Sequence, residues 1–132
     1  MIKVSFKAGM AALQAHATFL DSGSRPAYFV YYSDTKPASI ETSANPANAL
    51  CTLTLPEPCF KQLLVDGIEL HETATALATQ AGTATWARLY NGNDEVYADF
   101  TIDIQDADII LNSVNIAIGS SQKLDSIILK PF

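Results

Sequence analysis

The stretch that decides the fold is Gly82-Thr83-Ala84-Thr85-Trp86-Ala87-Arg88-Leu89-Tyr90, followed by Asn91-Gly92-Asn93-Asp94 and then Val96-Tyr97-Ala98-Asp99-Phe100-Thr101-Ile102-Asp103-Ile104. Asn-Gly followed by Asn-Asp is turn chemistry, because these residues tolerate left-handed backbone and bond their own main chain. After the turn, Val96, Ala98, Phe100, Ile102 and Ile104 alternate with Tyr97, Asp99, Thr101 and Asp103. Period-two alternation predicts a strand with one buried and one wet face. Before the turn, Gly82 opens a strand running to Tyr90, with Ala84, Trp86, Arg88 and Tyr90 on one side.

Working outward, residues 109–118 and 124–130 supply two more apolar strands, separated by Gly119-Ser120-Ser121. Upstream, 27–33 is a dense aromatic run behind Pro26, a permitted place for proline at a strand start. Residues 50–55 alternate, placing Cys51, Leu53 and Leu55 on one face, and Pro56 and Pro58 stop the strand. Asp66-Gly67 between Leu63-Leu64-Val65 and Ile68–Leu70 is a hairpin signal. The Ser-, Thr-, Ala-, Asn- and Pro-rich stretch 34–49 reads as a long loop, used for contact or mobile.

The one helical pattern lies near 3–20. Phe6, Met10, Leu13, Ala17 and Leu20 recur at spacings of 4, 3, 4 and 3, which is one face of a helix. Gly9 opposes the helix by about 1 kcal/mol relative to alanine, and Gly23 suits the left-handed position after the last turn. Together these elements predict a mainly β fold, an antiparallel β-sandwich or small barrel of about seven strands with one N-terminal α-helix. The whole chain, 1–132, reads as one domain, with the helix at about 3–20 and the sandwich at about 26–132.

Composition limits the functions. The chain has 132 residues, 14 acidic against 8 basic, and a net charge of −6. Scattered lysines and arginines give no phosphate-binding stripe and no polybasic membrane patch, so nucleic acid and membrane are not expected partners. No apolar run approaches the ~20 residues of a membrane span. The N-terminus carries no signal-peptide pattern, since Gln14 and His16 interrupt the apolar residues, so production in a cytoplasm is expected. Charged residues are 17% of the chain, below the usual ~25%. That is consistent with a Thr- and Ser-rich β surface or with a surface covered by a partner.

No chemistry-bearing constellation emerges. His16 and His71 lie far apart, without a nucleophile motif, and His71-Glu72 is too small a cluster for a metal. Cys51 and Cys59 read as two buried thiols rather than a disulfide or metal pair. Asp94, Glu95, Asp99, Asp103, Asp106 and Asp108 read as a solvated acidic rim. Asp99 and Asp103 would sit roughly 13 Å apart at standard strand rise, too far for a glycosidase pair. Asp103, Gln105, Asp106 and Asp108 match no calcium-loop pattern. The chain is therefore expected not to be an enzyme and to need no catalytic residue, cofactor or metal. A second reading is a carbohydrate- or ligand-binding β-sandwich using Tyr28, Tyr31, Tyr32 and Trp86 as stacking surfaces.

The segments Gly82–Tyr90 and Ala107-Asp108-Ile109-Ile110-Leu111-Asn112 resemble a recurrent pattern in a family of small tailed-bacteriophage and prophage virion-associated proteins. In that family a Gly-Thr-Ala-x-aromatic-x-Arg stretch precedes a turn and a strand, and an alternating strand, here Leu124 to Lys130, closes the chain. Asp103-Ile104-Gln105-Asp106 and the longer link Gly119–Lys123 depart from the pattern. The resemblance implies a virion structural protein made in the host cytoplasm. The preferred role is a capsid decoration or cement protein binding the major capsid protein; a tail or head-tail connector component is the alternative. A homo-oligomer, such as a trimer, is expected, and the family supplies no catalytic residues.

Overall fold

The computed structural model of the chain describes residues 5–130. It is mainly β with one N-terminal helix, in the expected class. The helix α1 runs Phe6–Leu20, capped by the Ser5 side chain, which accepts from the Ala8 amide at 3.2 Å. Residues 3 and 4 of the expected helix lie outside the described residues. The buried stripe is Gly9, Leu13, Ala17 and Leu20, whereas Phe6 is exposed and Met10 only partly covered. The glycine that weakens the helix thus also lies on its buried face.

The strands are shorter and more numerous than the alternation predicts. They are β1 (Tyr28–Tyr32), β2 (Ala49–Thr54), β3 (Phe60–Leu63), β4 (Ile68–Leu70), β5 (Ala76–Leu77), β6 (Gly82–Thr83), β7 (Trp86–Tyr90), β8 (Val96–Asp103), β9 (Ile109–Ile110), β10 (Asn115–Ile116), β11 (Ser121–Gln122) and β12 (Ile127–Leu129). A five-stranded sheet has the order β2-β1-β7-β8-β9, and a three-stranded sheet the order β12-β4-β3. β10-β6 and β11-β5 form two further two-stranded ladders. All strand pairings are antiparallel except β8 with β9, which is parallel.

The expected single strand 82–90 is broken, and the reason is visible in its amides. The Ala84 amide donates to Val114 O at 2.8 Å, on the β10 side, while the next amide, Thr85, donates to Tyr32 O at 2.9 Å in the large sheet. The chain therefore changes sheet between these residues, a corner device of β-sandwiches. Ala84 enters the main core, whereas Trp86 packs on the opposite face of the large sheet. The run 109–118 divides for a similar reason. Ile109–Ile110 stays on β8, and Asn115–Ile116 crosses to β6.

β8 departs from strict alternation. Pairing passes from Leu89–Ala98 to Tyr90–Val96, which leaves Tyr97 as an extra residue opposite β7. Such a bulge re-aims a side chain, and Tyr97 meets α1, its hydroxyl 2.9 Å from His16 Nδ1. Ile104 falls beyond the strand and is exposed, because Asp106 takes a positive φ of 53° and the chain turns.

The helix end is fixed on the 91–94 turn. Gly92 N donates to Ser22 O at 2.9 Å, and Gly23 and Gly92 form a parallel bridge. Asn91, fully buried, donates from Nδ2 to Phe19 O and to Glu95 Oε1, and its Oδ1 accepts from the Asn93 and Glu95 amides. A Cβ on Gly92 would collide with Arg25 O and lie 2.8 Å from Ser22 O, and one on Gly23 would collide with the Gly92 backbone at a φ of +113°.

Gly92→Ala is therefore expected to lower unfolding free energy by more than about 2 kcal/mol, because the added methyl has no room against the Arg25 carbonyl and backbone must shift. Gly119→Ala, with φ +80° but open space around it, should lose only about 1 kcal/mol. Urea unfolding of both variants checks the contrast.

Candidate functional site

β1 and β7 are buried on both faces, and the two faces do different things. Phe29, Tyr31, Ala87 and Leu89 enter the main core with α1 and the three-stranded sheet. Val30, Tyr32 and Trp86 form a second cluster on the outer face, with Tyr28, Tyr90, Ala44 and Ala49 against it. The four aromatics expected together are thus divided. Tyr31 points into the core, where its hydroxyl is buried without a hydrogen-bond partner. Burial raises its pKa.

The outer face is built from cross-strand neighbours. Tyr32 opposes Trp86, their rings stacked at 4.5 Å, and Tyr28 opposes Tyr90, stacked at 5.0 Å. Such pairs each contribute about 1 kcal/mol beyond area burial. Tyr32 and Tyr90 share a hydroxyl contact at 3.0 Å, and Trp86 Nε1 donates to Asp34 Oδ1 at 2.9 Å. Arg88, opposite Asp99, donates to both carboxylate oxygens, at 2.6 and 3.0 Å. Both side chains are almost fully buried, 2% and 4% exposed. The bond to Asp99 raises the Arg88 pKa, against the opposing effect of burial. Asp99 was expected in the solvated rim; instead it is one half of a buried ion pair.

What buries this face is the loop 34–48. Arg88 NH1 donates to Thr42 O at 2.7 Å, Ala44 packs on the aromatic cluster, and Thr85 Oγ1 donates to Asp34 O. The loop is a strap across the sheet, closed by the short 3-10 turn Pro46–Asn48. Trp86 is fully buried beneath it and Tyr32 nearly so. Only the Tyr28–Tyr90 end remains half-open. There Arg25 lies over the Tyr28 ring at 4.4 Å, and both Arg25 and Tyr28 donate to Asp94. Burial and the bond to Asp94 push the Tyr28 hydroxyl up to about 12. The hydrogen bonds from Tyr28 and Arg25 lower the Asp94 carboxyl.

The remaining expected residues do not converge. His16 is on the outside of α1 beside Tyr97, and His71 lies near Glu72 at the end of β4, with Cys59 O accepting from its amide. Cys51 and Cys59 are buried free thiols. Burial raises them to about 11 and about 12, Asp21 adding to the effect at Cys59. Asp108 accepts from the Thr101 amide and hydroxyl, and Asp103 from the Ile104 amide. Among the described residues no three His, Cys, Asp or Glu side chains come close enough to hold a metal ion. No helix among them is long and apolar enough to cross a membrane.

Two surface features were not anticipated. Aliphatic side chains stand exposed on several loops and edges: Val65 at 93%, with Leu63, Leu77, Ile110, Ile118 and Ile128. A cleft of about 410 Å³ also opens between β9 and β12, floored by Phe29 and Phe100. The exposed isoleucines sit within apolar runs, so sequence alternation alone could not tell which would lack a covering strand.

Truncating Arg88 to Met leaves the Asp99 carboxylate buried and unpaired, an expected loss of about 3 kcal/mol or more. Adding Asp99→Leu should return part of that loss, giving a non-additive double-mutant cycle in urea unfolding. Limited proteolysis of the single variant should cut within 34–48 faster than in the parent chain.

No protein-family model, curated protein or solved structure matches the chain.

Proposed function

We propose that this chain is an assembly subunit that works by protein–protein contact, and that the assembly is a bacteriophage particle. The observation that carries the contact reading is the set of exposed aliphatic side chains on strand edges and turns, Leu63, Val65, Leu77, Ile110, Ile118 and Ile128. Exposed apolar side chains gain free energy when a partner removes them from water, about 25 cal/mol per Å² of apolar area. Leu77 and Ile118 flank one ladder, where Gly119 N donates to Ala78 O at 2.8 Å. Leu63 and Val65 occupy the β3–β4 hairpin.

Support for the particle comes from the sequence. Gly82–Tyr90 and Ala107–Asn112 resemble small tailed-phage virion proteins, and they supply the sheet-switching segment with β7 and the edge strand β9. Within that reading the preferred role is capsid decoration through the major capsid protein, with a tail or connector position as the alternative. Repetition on a symmetric shell would multiply weak individual contacts. The aromatic face supports a ligand-binding reading less well, because the strap covers Trp86 and Tyr32 and Tyr31 is in the core.

Purified particles from a host carrying this gene, separated into emptied heads and tails and analysed by mass spectrometry, test the proposal. The chain is expected in the head fraction. Its presence only in tails would move the role, and its absence from both would reject the virion reading.

A further inference from the structure

The cleft between β9 and β12 is bounded by two strand edges. Among the described residues β9 ends the five-stranded sheet and β12 ends the three-stranded sheet. The direction of their main-chain groups follows from the bonds they already make. Leu111 N donates to Asp103 O at 3.0 Å. Strand groups alternate in direction, so the N–H and C=O of Ile110 point away from β8. On the other side, His71 N donates to Cys59 O and Leu64 N to Gly67 O, both at 2.8 Å. These turn residues 71, 69 and 67 toward β3, so Ile68 and Leu70 face β12 and bond to Leu129 and Ile127. Ile128 then turns its own N–H and C=O outward. Ile110 and Ile128 both line the cleft and are 63% and 46% exposed.

We propose that this cleft takes an extended segment of a partner protein as an added β-strand. Unpaired edge groups are templates for pairing, and folded proteins usually guard them with lysine, proline or a bulge. Ile109-Ile110-Leu111 carries neither lysine nor proline; Ile127-Ile128-Leu129 carries neither within the strand, and the Lys130 that follows it is 3.4 Å from Asp66. A strand seated here would turn alternate side chains onto Phe29 and Phe100, so the segment is apolar at every second position. Its flanks are basic. Asp108 and Asp125 stand at the cleft, and the one cation there, Lys123, is 3.3 Å from Glu72 and 3.7 Å from Asp125. The inference rests on the assembly reading in one respect, that the occupant is protein.

The test is a titration of the full, isotope-labelled chain with a synthetic peptide of about ten residues alternating Val and Thr, with Lys at both ends. Shifts at the Ile110 and Ile128 amides are expected. Binding should weaken by about tenfold or more when the peptide carries proline at alternate positions, or in Ile110→Pro, since either removes main-chain donors. Ile110→Lys, which keeps the strand backbone, should weaken the Lys-ended peptide and favour an Asp-ended one. Equal binding of the proline peptide, shifts confined to other strands, or no shift at millimolar peptide would overturn the proposal. So would perturbation of the same amides by protein concentration alone, which would assign the cleft to a second copy. A chain that ignores the peptide yet is found in particles refutes the cleft and leaves the virion reading standing. A chain that binds the peptide yet is missing from particles does the reverse.

Discussion

The guanidinium of Arg88 lies between the Asp99 carboxylate and the Thr42 carbonyl, and the outer half of the molecule depends on it. β1 and β7 put large side chains on both faces. α1 and the three-stranded sheet cover one face. Among the described residues no α-helix or sheet covers the other, and an aromatic sheet face left in water would be an aggregation surface. Arg88 resolves this by satisfying its own buried charge with Asp99 and using a further donor to hold the strap. A neutral side chain at 88 could pack against Trp86 but would leave the Thr42 carbonyl without that donor. The pair is therefore better understood as fixing where the loop lies than as a large net source of stability, since desolvation offsets much of its attraction.

The helix is positioned by a second constraint of the same kind. Asp21, at its C-terminal end, accepts from the Cys59 amide, and Asn91 donates back to Phe19 O. With the Gly23–Gly92 approach, these contacts lock the end of α1 to the β7–β8 turn and to the segment before β3. The inner and outer coverings thus both fasten to residues at or beside β7. Among the described residues the edges β9 and β12 receive no such covering, and that is why contact with another protein is sought there and not on the aromatic face.

Much of the fold was legible from residues. Turn chemistry at Asn91–Asp94, the apolar run at 28–32 and the alternation in 96–103 identify the β class and the longest strands. The 63–70 hairpin and the helix were legible too. What escaped was tertiary in origin. Nothing local marks that Ala84 and Thr85 donate to different sheets, so one strand was expected where two occur. The bulge at Tyr97 keeps the local pattern while changing its direction. Asp99 looks solvated on any alternating strand until Arg88 is placed opposite it. Tyr28, Tyr31 and Tyr32 are neighbours in the chain, but strand geometry sends Tyr31 to the other face. The cleft depends on which strands end their sheets, a property of topology that spacing does not encode.

Residue-resolved amide hydrogen exchange on the isolated full chain tests the central claim most directly: a strapped sheet interior beside two open strand edges. Slow exchange is predicted for the amides of β1 and β7, with fast exchange at Ile110 and Ile128. Rapid exchange throughout β1 and β7, or strong protection at Ile110 and Ile128 in the isolated chain, would contradict it.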